Sequence, residues 1–204
     1  MKIIAVSGLA RSGKDTIANK LQQVIIENNP NLKVSRESFA SFLKDEMNEF
    51  VLSKFNKNIY ELDGEDKEML RPLLVSYGFA KRQQTEGRYF VELLSRKMKN
   101  ENNDVCIISD IRYADKENDE LYWLKNEVEG KLIHVERYSF EDLLETKKIF
   151  IKPPNEDEER NDPILKSTAN FKISWPSAKN NEELDSMARK YCEDFYYDNI
   201  SCFI

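Results

Sequence analysis

One histidine, three cysteines and two tryptophans stand among 204 residues, and each scarcity excludes something. The cysteines, Cys106, Cys192 and Cys202, lack the spacing of a zinc site or a disulfide framework. Cys106 lies within an apolar run and reads as a small core residue. The lone histidine, His134, sits in a strand-like stretch, where a structural role outweighs a catalytic one, so no role is assigned to it. No apolar run approaches the length of a membrane span. Met1-Lys2 leads straight into a strand and a functional loop, so no signal peptide is expected, and the expected location is the cytoplasm. Positive charge is in deficit: the net charge of −6 argues against a broad surface for polymeric nucleic acid. No repeat or low-complexity tract is visible.

What is present starts at the N-terminus. The apolar run Ile3-Ile4-Ala5-Val6 is followed by Ser7-Gly8-Leu9-Ala10-Arg11-Ser12-Gly13-Lys14-Asp15-Thr16, and then by Ile17, Leu21, Val24 and Ile25 at helical spacing. Strand, glycine-bounded loop and helix form the setting of a phosphate-binding loop. Gly8 lets the chain turn off the strand, and Gly13 lets backbone and phosphate oxygens approach closely. Amides from Ala10 to Lys14 then face an anion at the positive end of the helix, and Lys14 supplies a mobile cation. The residue after such a lysine is usually Ser or Thr, whose hydroxyl ligates Mg²⁺. Here it is Asp15, with the hydroxyl one place later at Thr16. Asp15 is either a metal ligand, since Mg²⁺ prefers oxygen, or a first-turn acid favoured by the helix dipole.

Further on, Leu32–Phe39 reads as a second strand, and the helix after it places Lys44 in its first turn, near the strand's carboxyl end. Pro72 suits the first turn of the next helix, which puts Arg71 at its N-terminal edge and makes Gly78 a stop. A polar loop from Lys81 to Arg88 follows. Arg71, Arg82 and Arg88 are the densest arginine group in the chain, and guanidinium forks match phosphate oxygens. Val105–Ser109 is apolar on both faces and therefore a central parallel strand. Asp110 and Arg112 lie just past it, where an acid partners Mg²⁺ or its waters. Leu132–Val135 is a fourth strand with Arg137 beyond it, and Phe171–Trp175 a fifth. The last helix starts at an asparagine cap, Asn180 or Asn181. Between these lies a looser, polar stretch, 138–166, read as a flap whose Arg160 or lysines reach the phosphates on closure; a solvated surface insertion is the alternative.

These alternations predict one three-layer α/β/α domain with a mostly parallel five-stranded sheet, its core formed by 1–137 and 167–204. The loop ending Lys14-Asp15-Thr16, the step Phe39-Ala40-x-x-Leu43-Lys44, Arg71-x-Leu73-Leu74 with Gly78, and Ser109-Asp110-Ile111-Arg112 together resemble deoxynucleoside monophosphate kinases of the bacteriophage type. That resemblance implies transfer of the γ-phosphoryl of ATP, with Mg²⁺, to a deoxynucleoside 5′-monophosphate, and a homodimer is common in the group. It implies that Gly8, Ala10, Arg11, Ser12, Gly13, Lys14, Asp15, Thr16 and Arg137 bind ATP. It places Phe39, Lys44, Arg71, Arg82, Arg88 and Arg112 around the acceptor, Asp15, Thr16 and Asp110 at the metal, and Lys14, Arg71, Asp110 and Arg112 at the reacting phosphates. Two positions depart from the group: Val75 stands where a glutamine often follows the paired leucines, and Trp175-Pro176 stand where an asparagine often approaches adenine. Two other readings remain. One is a kinase for a non-nucleotide acceptor such as phosphomevalonate, whose animal kinase has a similar lysine-aspartate loop ending. The other is a nucleotide-binding switch that transfers nothing.

Overall fold

The computed structural model describes residues 1–141 and 147–201, so Cys202 and the part of the expected flap at 142–146 lie outside the described residues. The chain divides into two compact units, Met1–Glu37 with Asn102–Ile204, and Ser38–Glu101.

The first unit is built on a mostly parallel sheet. Strands β1 (Lys2–Ser7), β2 (Val34–Glu37), β3 (Val105–Ile111), β4 (Lys131–Phe140) and β6 (Phe171–Pro176) run parallel in the order β2-β3-β1-β4-β6. A sixth strand was not anticipated: β5 (Lys148–Phe150) pairs antiparallel with the end of β4, through Tyr138↔Phe150 and Phe140↔Lys148. Its three residues are exposed and too few to show a period. Helices α1 (Lys14–Asn28) and α7 (Asn181–Asn199) join Ile4, Val6, Ile107, Ile133, Val135, Ile173 and Trp175 in one buried cluster. Asn180 is the cap of α7, accepting from the Glu183 amide at 2.8 Å, as expected. A short helical segment, α5 (Glu120–Tyr122), runs on into a π-helical turn at Trp123–Glu127, and α6 (Glu156–Thr168) precedes β6.

Two strand ends differ from the expectation. β3 continues through Asp110 and Ile111, all seven of its residues buried, and β4 continues through Arg137 to Phe140. Both acid and arginine therefore sit on strand backbone held by neighbours rather than on loops. Pairing, which sequence patterning does not register, carries the strands past their last apolar residue.

The second unit is helical: α2 (Phe39–Phe55), α3 (Gly64–Gln84) and α4 (Tyr89–Asn100). Ser38 caps α2, its hydroxyl accepting from the Ser41 amide at 3.0 Å, so Phe39 opens the helix and Lys44 lies in its second turn, not its first. α3 overturns a larger expectation. It runs unbroken for 21 residues through Pro72 and Gly78. A proline inside a helix forfeits one backbone bond and crowds the preceding turn. Here the good helix formers on both sides outweigh that cost. Gly78 is buried in the helix and leaves room for Leu43, whose Cδ1 lies 2.8 Å from where a Cβ would stand.

Candidate phosphate-binding site

The loop between β1 and α1 has the backbone of an anion nest. Gly8 (φ 134°), Arg11 (φ 66°) and Gly13 (φ 99°) all take left-handed conformations. A Cβ on Gly8 would stand 2.2 Å from the Val135 carbonyl oxygen, and one on Gly13 would stand 2.3 Å from Cζ2 of Trp175. Both glycines are required by close packing as well as by φ. The Trp175 indole Nε1 donates to the Ser12 carbonyl at 2.8 Å, so β6 supports the loop from beneath. Sequence reading placed Trp175 only as a departure at the adenine. Its signal as a support, a bulky residue ending an inner strand, carries no address until the fold supplies Gly13 opposite.

Lys14 is buried, and its Nζ donates to the Gly8 and Leu9 carbonyls at 2.9 and 2.8 Å. Burial and then the Arg112 guanidinium lower the Lys14 ammonium from its usual value, while the Glu158, Asp15 and Asp110 carboxylates oppose this. Lys14, Arg112, Asp15 and Asp110 thus gather in one electrostatic neighbourhood at the carboxyl edge of the sheet. The sheet explains it: Ser7 at the end of β1 registers with Ile111 of β3 and His134 of β4. Asp110 is buried, Asp15 exposed and Thr16 half-buried.

Three carboxylates that sequence reading missed organise the surroundings. Glu120, nearly fully buried, accepts from the Arg112 and Tyr113 amides at 2.8 and 3.2 Å and so fixes the turn that carries Arg112. Glu158 of α6 accepts from the Ala10 amide at 2.7 Å, and its other oxygen lies 3.8 Å from Arg112 Nη1. Asp162, one turn on, faces His134 Nε2 at 3.7 Å. The inward face of α6 is therefore Glu158, Asn161, Asp162 and Leu165, spaced as one helical stripe. Because three of the four are polar, a search for apolar periodicity passes over them. Within the expected flap, Arg160 pairs with Asp157 at 2.6 Å and Asp115 at 3.3 Å, and Lys147 pairs with Glu141 at 2.5 Å.

Beside the loop, Leu9, Ser12, His134, Arg137, Phe150 and Asp162 help line a small recess. Three buried polar atoms on its lining residues, Ser12 Oγ, His134 Nε2 and Arg137 Nε, have no hydrogen-bond partner among the described residues. The other imidazole nitrogen, Nδ1, lies 3.0 Å from the Ser7 hydroxyl. Burial lowers His134 to about 4, and burial together with the Glu136 and Glu158 charges raises Asp162 to about 6. The two act oppositely on stability. A histidine whose folded pKa is depressed from 6.5 loses stability as pH falls through 6.5 towards 4. An aspartate raised from 3.8 gains stability as pH falls through 6 towards 3.8. Wild-type thermal stability is therefore expected to owe little net pH dependence to this pair. In Asp162→Asn the histidine contribution stands alone, and stability should fall between about pH 6.5 and about pH 4.5 by on the order of 2 kcal/mol more than in wild type. Thermal melts across that range check this; parallel profiles for the two proteins would contradict it.

Of the residues expected around the acceptor, Arg112 lies in the first unit and Phe39, Lys44, Arg71, Arg82 and Arg88 lie in the second. Lys44 Nζ lies 5.8 Å from the Tyr60 ring centroid, and Arg71, half exposed, pairs with Glu68 at 2.8 Å. Arg82 is buried, and Arg88 stands at the cap of α4. The expected triple grip changes form. Arg71 and Arg82 are both on α3, eleven residues apart, which is about 16 Å along the axis. Arg82 and Arg88 flank the turn between α3 and α4, closed by Glu86 in a left-handed conformation (φ 53°). The reason is the continuous α3: with Pro72 inside it, Arg71 is no longer a helix start.

The residues fit a nucleotide polyphosphate with its magnesium. The loop already binds an anionic oxygen, that of Glu158. Among the described residues no group of three or more His, Cys, Asp or Glu side chains is arranged to hold a metal alone. The Asp15 and Asp110 carboxylates near the loop are hard oxygen donors of the kind Mg²⁺ takes, one or two at a time, beside phosphates and water. No helix among the described residues is long and apolar enough to cross a membrane.

An α/β core with this loop, its lysine and an acid on the adjacent parallel strand is the arrangement of a phosphate-loop nucleotide-binding domain. A family model for phosphomevalonate kinase matches residues 6–129, more than half of the chain, and the chain belongs to that family. No curated protein matches it. Among solved structures it is similar to dephospho-CoA kinase from Campylobacter jejuni, at 16% identity and TM-score 0.45, covering 98% of this chain and 100% of that one. It is also similar to shikimate kinase from Acinetobacter baumannii in complex with shikimate, at 10% identity and TM-score 0.45, covering 98% and 96%. A third likeness is to Kti12 from Chaetomium thermophilum in complex with ADP-AlF3, at 15% identity and TM-score 0.40, covering 98% and 99%. These likenesses are too distant to bear on activity.

Proposed function

We propose that the protein transfers the γ-phosphoryl group of ATP to the phosphate of a small phosphorylated acceptor, mevalonate 5-phosphate, giving the 5-diphosphate and ADP. The observation that carries the reading is the phosphate loop itself, with Lys14 Nζ held on the Gly8 and Leu9 carbonyls and Asp110 on the adjacent strand, inside the stretch that the family model matches. The match favours this acceptor over the deoxynucleoside monophosphate suggested by the motifs.

An acceptor phosphate oxygen attacks the γ-phosphorus, the bond to the bridging oxygen breaks, and ADP leaves. The attacking oxygen is already anionic, so positioning and charge dominate over proton transfer. Lys14 and the amides from Gly8 to Thr16 hold the ATP phosphates, and Arg137 contributes at the nucleotide. Asp110, Asp15 and Thr16 would hold Mg²⁺ brought with the nucleotide, and the ion would supply charge neutralisation at the transferring group. Arg112 is assigned to the transferred phosphoryl group, and the resemblance assigns Phe39, Lys44, Arg71, Arg82 and Arg88 to the acceptor.

The test is ADP formation from ATP and Mg²⁺ with mevalonate 5-phosphate and with each deoxynucleoside monophosphate in turn. ADP is expected with mevalonate 5-phosphate and not with the nucleotides. Turnover with a deoxynucleoside monophosphate alone would reverse the acceptor assignment. Nucleotide binding with no ADP above background for any acceptor would replace the kinase with a switch.

A further inference from the structure

The phosphate loop is occupied by the chain itself. Glu158 Oε2 accepts from the Ala10 amide at 2.7 Å, and Oε1 lies 3.8 Å from Arg112 Nη1. The side chain is only 13% exposed although it sits in the first turn of its helix. A carboxylate on a loop amide, close to an arginine and within the electrostatic reach of Lys14, has the partners that a phosphate oxygen would have.

We propose that Glu158 is a built-in competitor for the nucleotide's phosphates, and that α6 is a latch which ATP must displace. The inference rests on the kinase reading of the loop. The electrostatics require displacement: an ionised carboxylate and a polyphosphate cannot share one amide-lined nest without strong repulsion. The rest of α6 keeps the latch in place. Asn161, fully buried, accepts from the Ala114 amide at 2.7 Å beyond β3. Arg160 bridges to Asp115, and Lys166 pairs with Glu136 of β4 at 2.6 Å. These ties surround Glu158 with contacts to β3's exit and to β4, so the carboxylate is held on the loop rather than hanging from a mobile end. Release has a natural start: Asn155 caps the helix immediately after Pro153-Pro154, and Pro163 already removes one backbone bond inside it. An occupied latch lowers apparent nucleotide affinity by the fraction of molecules left open.

The experiment is titration of wild type, Glu158→Gln and Glu159→Gln with ADP and with inorganic pyrophosphate, each with and without Mg²⁺, by calorimetry. Glu159 is exposed on the same turn and controls for loss of general negative charge. Glutamine keeps the size and an acceptor oxygen but not the charge. Glu158→Gln is expected to bind both ligands roughly tenfold more tightly than wild type, with Glu159→Gln unchanged. Thermal melts without ligand verify that each variant is folded, and Glu158→Ala repeats the test if Glu158→Gln is not. Equal or weaker binding by the folded Glu158 variant than by wild type overturns the latch and leaves the kinase reading standing. An equal gain in Glu159→Gln reduces the effect to bulk charge and also overturns it. Binding by none of the proteins overturns the kinase reading and the latch together.

Discussion

Lys14→Ala is expected to slow phosphoryl transfer by roughly 10²–10³-fold while the protein stays folded. The ammonium is buried beside the loop and donates to Gly8 and Leu9 carbonyls, so it is held where a polyphosphate would lie. Its neighbours Arg112, Asp110 and Asp15 make the local field that charge moving in the reaction would meet. Few apolar contacts depend on it, since the main cluster is built from β1, β3, β4, β6, α1 and α7. Steady-state ADP formation alongside a thermal melt measures both halves of the expectation. Wild-type turnover in the variant would remove Lys14 from the mechanism.

Trp175→Ala is expected to cost about 3–5 kcal/mol of stability and to weaken nucleotide binding. The indole is completely buried in the main core cluster, meets Gly13 on one side and holds the Ser12 carbonyl by its Nε1. Truncation leaves a cavity directly under the loop. Trp175→Phe separates the two effects. It retains most of the apolar volume, loses the hydrogen bond, and should cost only about 1–2 kcal/mol. Urea unfolding gives the stabilities and ADP titration gives the binding. A Trp175→Ala protein within about 1 kcal/mol of wild type would show that the loop does not lean on this residue.

The parts of the site that the sequence displays are those with local signals. Strand, glycine loop, lysine and helix are contiguous, and each is enforced by neighbours in the chain; Gly8 and Gly13 have the positive φ that their positions imply. Asp110 and Arg112 follow from one long apolar run, although pairing extends β3 through the acid. What is not local is not displayed. Pro72 and Gly78 are strong punctuation, yet α3 continues through both, because one lost bond is small against a long run of good helix formers. That single difference moves Arg71 from a helix start to mid-helix and separates it from Arg82. The polar stripe Glu158, Asn161 and Asp162 has helical spacing without apolar character, so its inward orientation is set by Ala10, Ala114 and His134, each distant in sequence. The substrate-determining step is the same kind of problem. The motifs resemble those of kinases for deoxynucleoside monophosphates, while the family match favours the non-nucleotide acceptor.

The central claim is that this loop delivers a γ-phosphoryl group to a phosphate. Phosphorus-31 resonance spectra of the full chain with ATP, Mg²⁺ and mevalonate 5-phosphate test it most directly. The acceptor's monophosphate signal is expected to give way to a coupled pair from a new diphosphate, in step with ADP. An unchanged acceptor signal with ATP intact, at enzyme concentrations where nucleotide binding is saturated, would contradict it.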